Sequence, residues 1–242
     1  MTTKYKNSPL VEAICEFQLI HNEEWDSTIP GVLYEKVKDS FPIKRQRKDF
    51  YQIPGQTFDG INNLTVLTQF YNKEENALIQ TGKNTLTINC LVPYPHWEKY
   101  KPMILDAFEK YKTISSPVGL RKISLKYINK ILIPTNEVIE LKEFFNFYPT
   151  KPDLIPEAMG ALDVAIQIPF NNNEDSLMLR LASVSSENPK DAAFLFQIDY
   201  EMTLPNRITF ENIDEWLEQA HSKINSTFES SITEKSRNIF NK

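Results

Sequence analysis

The chain has 242 residues, a formal charge of −5, 41 % hydrophobic and 12 % aromatic residues, a composition that supports a packed core and excludes a disordered chain. Six glycines against fifteen prolines, with no GxGxxG or GxxxxGK[ST] run, exclude a glycine-rich phosphate cradle. The mild acidity argues against a protein devoted to duplex DNA, because counterion release needs a basic footprint, but it leaves a local basic patch open.

The N-terminal stretch MTTKYKNSPLVEAIC has no apolar signal core, and no apolar run approaches the length of a membrane span. A cytoplasmic protein with no membrane partner is therefore expected. Its many Lys, Asn and Ile residues point to an AT-rich bacterial genome. In LVEAICEFQL, residues 10–19, Val11, Ala13, Cys15, Phe17 and Leu19 alternate with Glu12, Glu16 and Gln18, the period of a strand with one wet face. DSTIPGVLYEKVKDSF follows as a helix. Asp26 or Ser27 would cap it, Pro30 suits its first turn, and Ile29, Val32, Leu33, Val37 and Phe41 share a face.

Three strands are read next. DFYQIPG is the weakest; NLTVLTQFY turns Leu64, Val66 and Phe70 one way; NTLTINCL does the same with Leu86, Ile88 and Cys90. KEEN and TGKN supply the turns. Cys15 and Cys90 read as small buried hydrophobes in a reducing compartment, with a disulfide open to them if their strands are neighbours. PHWEKYKPMILDAFEKYKTI is a helix with Trp97, Ile104, Phe108 and Tyr111 on one side, and Pro102 should kink it or mark its start.

The opening pattern then returns. In LRKISLKYINKI, Ile123, Leu125, Tyr127 and Ile131 alternate with Lys122, Ser124, Lys126 and Lys130. A short helix is expected in EVIELKEFFNF, with Val138, Leu141, Phe144 and Phe145 apolar, followed by a proline-rich ordered loop, YPTKPDLIPEAMG. Three alternating strands come after it: ALDVAIQIPF, inward through Leu162, Val164, Ile166 and Ile168; SLMLRLASV; and AAFLFQIDYEM. NNNEDS and SSENPKD are hairpin loops by composition. The last helix carries the stripe Ile213, Trp216, Leu217, Ala220, Ile224, Phe228 and Ile232.

The resulting expectation is an α+β fold made of a duplicated β-α-β-β-β-α unit, residues 1–116 and 117–242 (two repeats or one continuous domain). An antiparallel sheet would carry its helices on one face, in a helix-grip or TATA-box-binding-protein-like saddle topology. The other face would be a polar partner surface that includes Glu16, Gln69, Thr87, Asn89, Lys126, Arg180 and Asp199. It lacks the wedges and stacking platforms of nucleic-acid saddles. Glu12 and Glu16 could pair with Lys122, Lys126 and Lys130 if their strands adjoin. Asn129 reads as a hydrogen-bonded core amide.

Little in the chain points to a reaction. His21, His96 and His221 form no HExxH or HxH spacing, no GxSxG occurs, and carboxylates such as Glu23-Glu24-Asp26 sit at turns and helix starts, where helix dipoles favour them. No catalytic residue, metal or cofactor is expected. The candidates for partner binding are Lys44, Arg45, Arg47 and Lys48 in PIKRQRKDF, taken to follow a helix C-terminus, and the stripe Lys122, Lys126 and Lys130.

NSPLVEAICEFQL, GLRKISLKYINKILIP and HSKINSTFESSITEKSR together resemble a sporadically distributed bacterial family of about this length and of unknown function. The resemblance rests on the PLVEAxCxF opening and on Arg121, Leu125, Tyr127 and Asn129 in the middle, and it spans about residues 5–240. It carries over no activity. The patchy distribution implies mobile genes, such as toxin–antitoxin or phage-defence loci. The leading expectation is a non-enzymatic interaction or regulatory subunit with a protein partner from a neighbouring gene. A nucleic-acid-binding protein using its basic patch is the first alternative, and an enzyme or small-ligand binder with a dispersed site is the second.

Overall fold

The computed structural model describes residues 5–50, 64–134, 139–150, 152, 154 and 161–242. Among them the architecture is mixed α+β, with nine strands and four α-helices. The strands are β1 (Leu10–Ile20), β2 (Ile43–Phe50), β3 (Leu64–Tyr71), β4 (Ala77–Gly82), β5 (Thr85–Leu91), β6 (Gly119–Pro134), β7 (Asp163–Phe170), β8 (Asp175–Val184) and β9 (Asp191–Met202). The helices are α1 (Ile29–Val37), α2 (Trp97–Ser115), α3 (Ile213–Ser231) and α4 (Glu234–Phe240). The antiparallel strand order is β2-β3-β4-β5-β1-β6-β9-β8-β7. Two compact units divide the chain, and β1 and β6 contribute residues to both.

One unit comprises Ile14–Ser124 and Leu204–Asp214. Its core lies where the apolar phase of the strands meets α1 and α2. Phe17 contacts Phe108 at 4.7 Å between ring centroids, Tyr34 contacts Phe70 at 5.5 Å, and the Tyr100 hydroxyl donates to the Ile88 carbonyl at 2.7 Å. α1 starts after Thr28, not Asp26 or Ser27. The Asp26 carboxylate instead accepts from the Thr28 N–H at 2.8 Å, which holds its pKa below the ordinary value. Val32, read as part of the buried face, is exposed. α2 begins at Trp97 after His96 and runs through Pro102, which removes one backbone donor from the second turn.

Two elements of this unit depart from expectation. The charged run 43–50, read as following a helix C-terminus, does follow α1 but is itself a strand, β2, paired to β3 from Ile43↔Tyr71 onward. The expected strand DFYQIPG falls, beyond Phe50, outside the described residues. Between β3 and β5 lies β4, absent from the three-strand reading. All six of its residues are buried, so its pattern does not alternate. The Asn72 side chain shapes the preceding turn by accepting from the N–H groups of Asn76 and Ala77, both at 3.0 Å. Asn84, at φ 59°, closes the β4–β5 hairpin in the left-handed region that Asn tolerates. Cys15 and Cys90 are both free and buried. Burial raises the pKa of both thiols, that of Cys90 to about 12, so neither is a ready nucleophile.

The other unit comprises Met1–Ala13, Leu125–Thr203 and Glu215–Lys242. α3 lays its stripe on β8 and β9: Tyr200 meets Trp216 at 5.7 Å and Phe196 meets Phe228 at 6.1 Å. Asn129 is the core amide expected, donating to the Phe196 carbonyl at 3.2 Å. The helix expected in EVIELKEFFNF is replaced, in its described part, by a single 3-10 turn at Leu141–Glu143. Tertiary anchors override its helical spacing. Phe145 forms an antiparallel bridge with Ile232, the Asn146 N–H donates to the Ser231 carbonyl at 2.8 Å, and the Ser236 hydroxyl donates to the Phe144 carbonyl at 2.6 Å. The β7–β8 turn runs through Asn171, Asn172 and Asn173, all at positive φ, as the NNN composition implies. Most of YPTKPDLIPEAMG lies outside the described residues.

Candidate functional site: an apolar free edge of the sheet

β7 is the terminal strand, and among the described residues it pairs with β8 alone. The register sets Val164, Ile166 and Ile168 opposite Leu181, Leu179 and Leu177, on the face that carries the core. Those three leucines are buried, yet Ile166 is 42 % and Ile168 37 % exposed. The expectation that both isoleucines are core is therefore corrected. The large residues of α3 are taken up by Tyr200 and Phe196 of β9, and at β7 the helix places Lys223, 5.0 Å above the Phe170 ring.

The hydrogen-bond parity of β7 follows from its neighbour. The Leu162 carbonyl accepts from the Ser183 N–H at 2.8 Å, so the even-numbered residues turn their backbone groups to β8. By alternation Asp163, Ala165 and Gln167 turn an N–H and a C=O to the free side, whereas Pro169 turns only a carbonyl. On the polar face of the same strand, Arg180 grips Asp163 through two hydrogen bonds of 2.8 and 2.6 Å, which holds the Asp163 pKa below its ordinary value. The Gln167 amide donates to the Ser176 hydroxyl at 3.0 Å, and that hydroxyl donates to Glu201 at 3.3 Å.

The basic candidates are arranged differently from the cluster implied by their spacing. Strand alternation puts Lys44 on one face of β2 and Arg45 and Arg47 on the other. Lys44 lies 4.2 Å above the Tyr34 ring; Arg45 lies 4.5 Å above Tyr71 and pairs with Glu75 at 2.6 Å. Lys48 is in the same strand, and its side chain is outside the described residues. On β6, Lys122, Lys126 and Lys130 share one face and are half-buried. Lys126 pairs with Asp199 of β9 at 2.9 Å rather than with a β1 glutamate.

The polar face read as exposed is largely closed in the unit that holds β3, β4 and β5. Gln69, Gln80 and Asn89 are buried. Gln69 Nε2 donates to Gln80 Oε1 at 2.6 Å, and Gln80 Nε2 donates to Asn89 Oδ1 at 2.8 Å. Gln80 comes from the strand that sequence reading missed, and it links the amides on either side. Asp199, in the other unit, is also buried.

Two buried polar clusters, whose pairings were not read from sequence, involve residues of α3. Asp175 is 1 % exposed and accepts from the Tyr200 hydroxyl at 3.1 Å, the Trp216 indole at 3.3 Å and the Asn171 amide at 2.5 Å. The Tyr127 hydroxyl meets His221 Nδ1 at 2.7 Å, and Asn225 also touches the imidazole. Both clusters are tied into the core, and their only sequence signal is a polar residue on an apolar phase. A cleft of about 410 Å³ is lined by Ile133, Glu143, Phe144, Lys235 and Ile239, and one of about 340 Å³ by His21, Glu23, Trp25, Asp26 and Ile114. Among the described residues no group of three or more His, Cys, Asp and Glu side chains could hold a metal ion. Nor, among them, is any helix long and apolar enough to cross a membrane.

No family model matches this chain, and no curated protein matches it.

Proposed function

We propose that this protein is a non-enzymatic interaction module that receives an extended protein strand on the free edge of β7. The observation that carries the reading is the pair of exposed isoleucines, Ile166 and Ile168, on a terminal strand. A strand edge offers unpaired N–H and C=O groups at two-residue intervals. A flanking apolar row adds the side-chain specificity that strand addition uses. Edges are ordinarily guarded by lysine, inward charge or a bulge, and the middle of β7 holds none of these.

The same reading takes the chain as a duplicated unit in a saddle-like order, its first copy carrying the extra strand β4 and its second the 3-10 turn at Leu141–Glu143 in place of the first helix. By its resemblance to the sporadic bacterial family, it is a regulatory or antitoxin-like subunit of a mobile toxin–antitoxin or phage-defence locus, acting in the cytoplasm. The nucleic-acid alternative has less support, because Lys44 and Arg45 are already engaged by Tyr34, Tyr71 and Glu75. Co-expression with the proteins of neighbouring genes, purification in moderate salt and comparison with an Ile166→Lys/Ile168→Lys variant test the reading. It predicts a stoichiometric protein partner, this chain itself included, that the variant loses. Nucleic acid retained by both proteins, with no protein partner for either, would overturn it.

A further inference from the structure

We infer that the strand received by β7 is the β7 of a second copy of this chain, paired antiparallel about a twofold axis through Ala165; this rests on the edge-strand reading above. The argument is one of self-complementarity. A twofold axis through the backbone of an antiparallel ladder sets residue i of one copy against residue j of the other with a constant sum. The groups facing the free side belong to Asp163, Ala165 and Gln167. Centring on Ala165 sets Asp163 opposite the second copy's Gln167, Ala165 opposite its own counterpart, and Gln167 opposite Asp163. About six hydrogen bonds form, and no donor or acceptor in the stretch is left over.

Pro169 and the start of β7 at Asp163 decide between registers: centring on Val164 sets Gln167 opposite Ala161, outside the strand, and completes only the Asp163–Ala165 pairs. Centring on Ile166 brings Pro169 opposite Asp163, whose carbonyl then finds no N–H. Centring on Gln167 sets Pro169 opposite Ala165. Centring on Asp163 places two carboxylates face to face. With the axis at Ala165, Pro169 lies beyond the complete pairs, the place a sheet tolerates it. The side chains agree with this choice. On the apolar face Val164 meets the second copy's Ile166, and Ile168 meets its Leu162, so both exposed isoleucines are covered. On the polar face Asp163 stays with Arg180 and meets a neutral Gln167.

Sedimentation velocity across a concentration series, with two single-cysteine probes, tests the inference. Cys15 and Cys90 are buried and do not interfere. The wild-type chain is expected to pass from monomer to dimer as concentration rises through the micromolar range typical of a small interface. Ala165→Cys is expected to give a disulfide-linked dimer under mild oxidation, because paired backbones bring the two α-carbons to about 5.5 Å. Ile166→Lys, a change at an exposed position, is expected to leave the circular dichroism unchanged and abolish the dimer. Cross-linking through Ile166→Cys instead of Ala165→Cys would overturn the register. A monomer at all concentrations would overturn the second copy as occupant. If that monomer still held a neighbour-encoded protein in an Ile166→Lys-sensitive manner, the edge-strand reading would survive; if it held none, both would fall.

Discussion

The two terminal strands, β2 and β7, solve the edge problem in different ways. β2 carries Lys44, Arg45 and Arg47 within four positions, and two of these cations are pinned by aromatic rings and by Glu75. A strand approaching that edge would meet clustered positive charge, the common natural guard. β7 carries Ile166 and Ile168 in the open and, among the described residues, is closed at its end by Pro169. On the proposed reading, the basic run that reads as a binding patch from spacing would protect an edge, and the apolar alternation that reads as core would be the surface that invites a partner.

The contrast can be broken most severely from the core of the unit that holds β7. Phe196 is fully buried between Phe147 and Phe228 in the unit that holds β7. Phe196→Ala should cost about 3–5 kcal/mol, read from urea unfolding, and should speed amide exchange in β7 and β8 before other strands. If β7 exchange stays unchanged, the edge does not depend on that core.

A smaller loss is expected on the side of β2. Gln80→Ala removes the acceptor for Gln69 and the donor to Asn89, and should cost about 1–3 kcal/mol because buried amides lose partners. Gln80→Leu, which removes the same two hydrogen bonds, should be no milder; a neutral result in both variants would mean that the amide chain contributes nothing.

The response to pH sharpens the comparison further. His21 follows β1, its ring nitrogens are buried, and burial lowers its pKa below 6.5, opposed by a polar contact with Asn84. The unfolded chain therefore holds the His21 proton more tightly than the folded chain does. The His21 contribution to stability is complete above pH 6.5 and shrinks as the pH falls from there toward the lowered folded value. Urea midpoints at pH 7.5 and 5.5 should differ less in His21→Gln than in the wild type; equal differences would exclude His21 as a source.

The smallest effect is expected at Arg45. It is solvent-exposed and paired with exposed Glu75, so Arg45→Ala should leave the unfolding midpoint within experimental error. It should instead raise the tendency of β2 to self-associate at high concentration, measured by light scattering. No change in scattering would remove the guard assigned to this cation.

Periodicity alone carried the elements whose burial is one-sided. The α3 stripe from Ile213 to Phe228 is buried throughout, with Ile232 buried just beyond the helix; β1 alternates as read, and β5, β8 and β9 bury the apolar phase as read while also burying Asn89, Ser176 and Asp199 of the other phase. It failed where that premise fails. β4 is covered on both sides, so Ala77–Gly82 has no alternation to detect. β2 is a strand because β3 pairs with it, although its charge run resembles a solvated loop. Residues around Leu141 have helical spacing, yet Phe145 and Asn146 are held by the chain near Ser231 and Ile232.

The candidate site shows the same division. Local sequence was sufficient to place Val164, Ile166 and Ile168 on one face of a strand, because alternation is a property of a single extended backbone. Whether that face is sealed depends on strand order and on where α3 ends its coverage, and both are set by contacts between residues far apart in the chain. The exposure of Ile166 and Ile168, and with it the free edge, is therefore a consequence of tertiary structure that no single segment encodes.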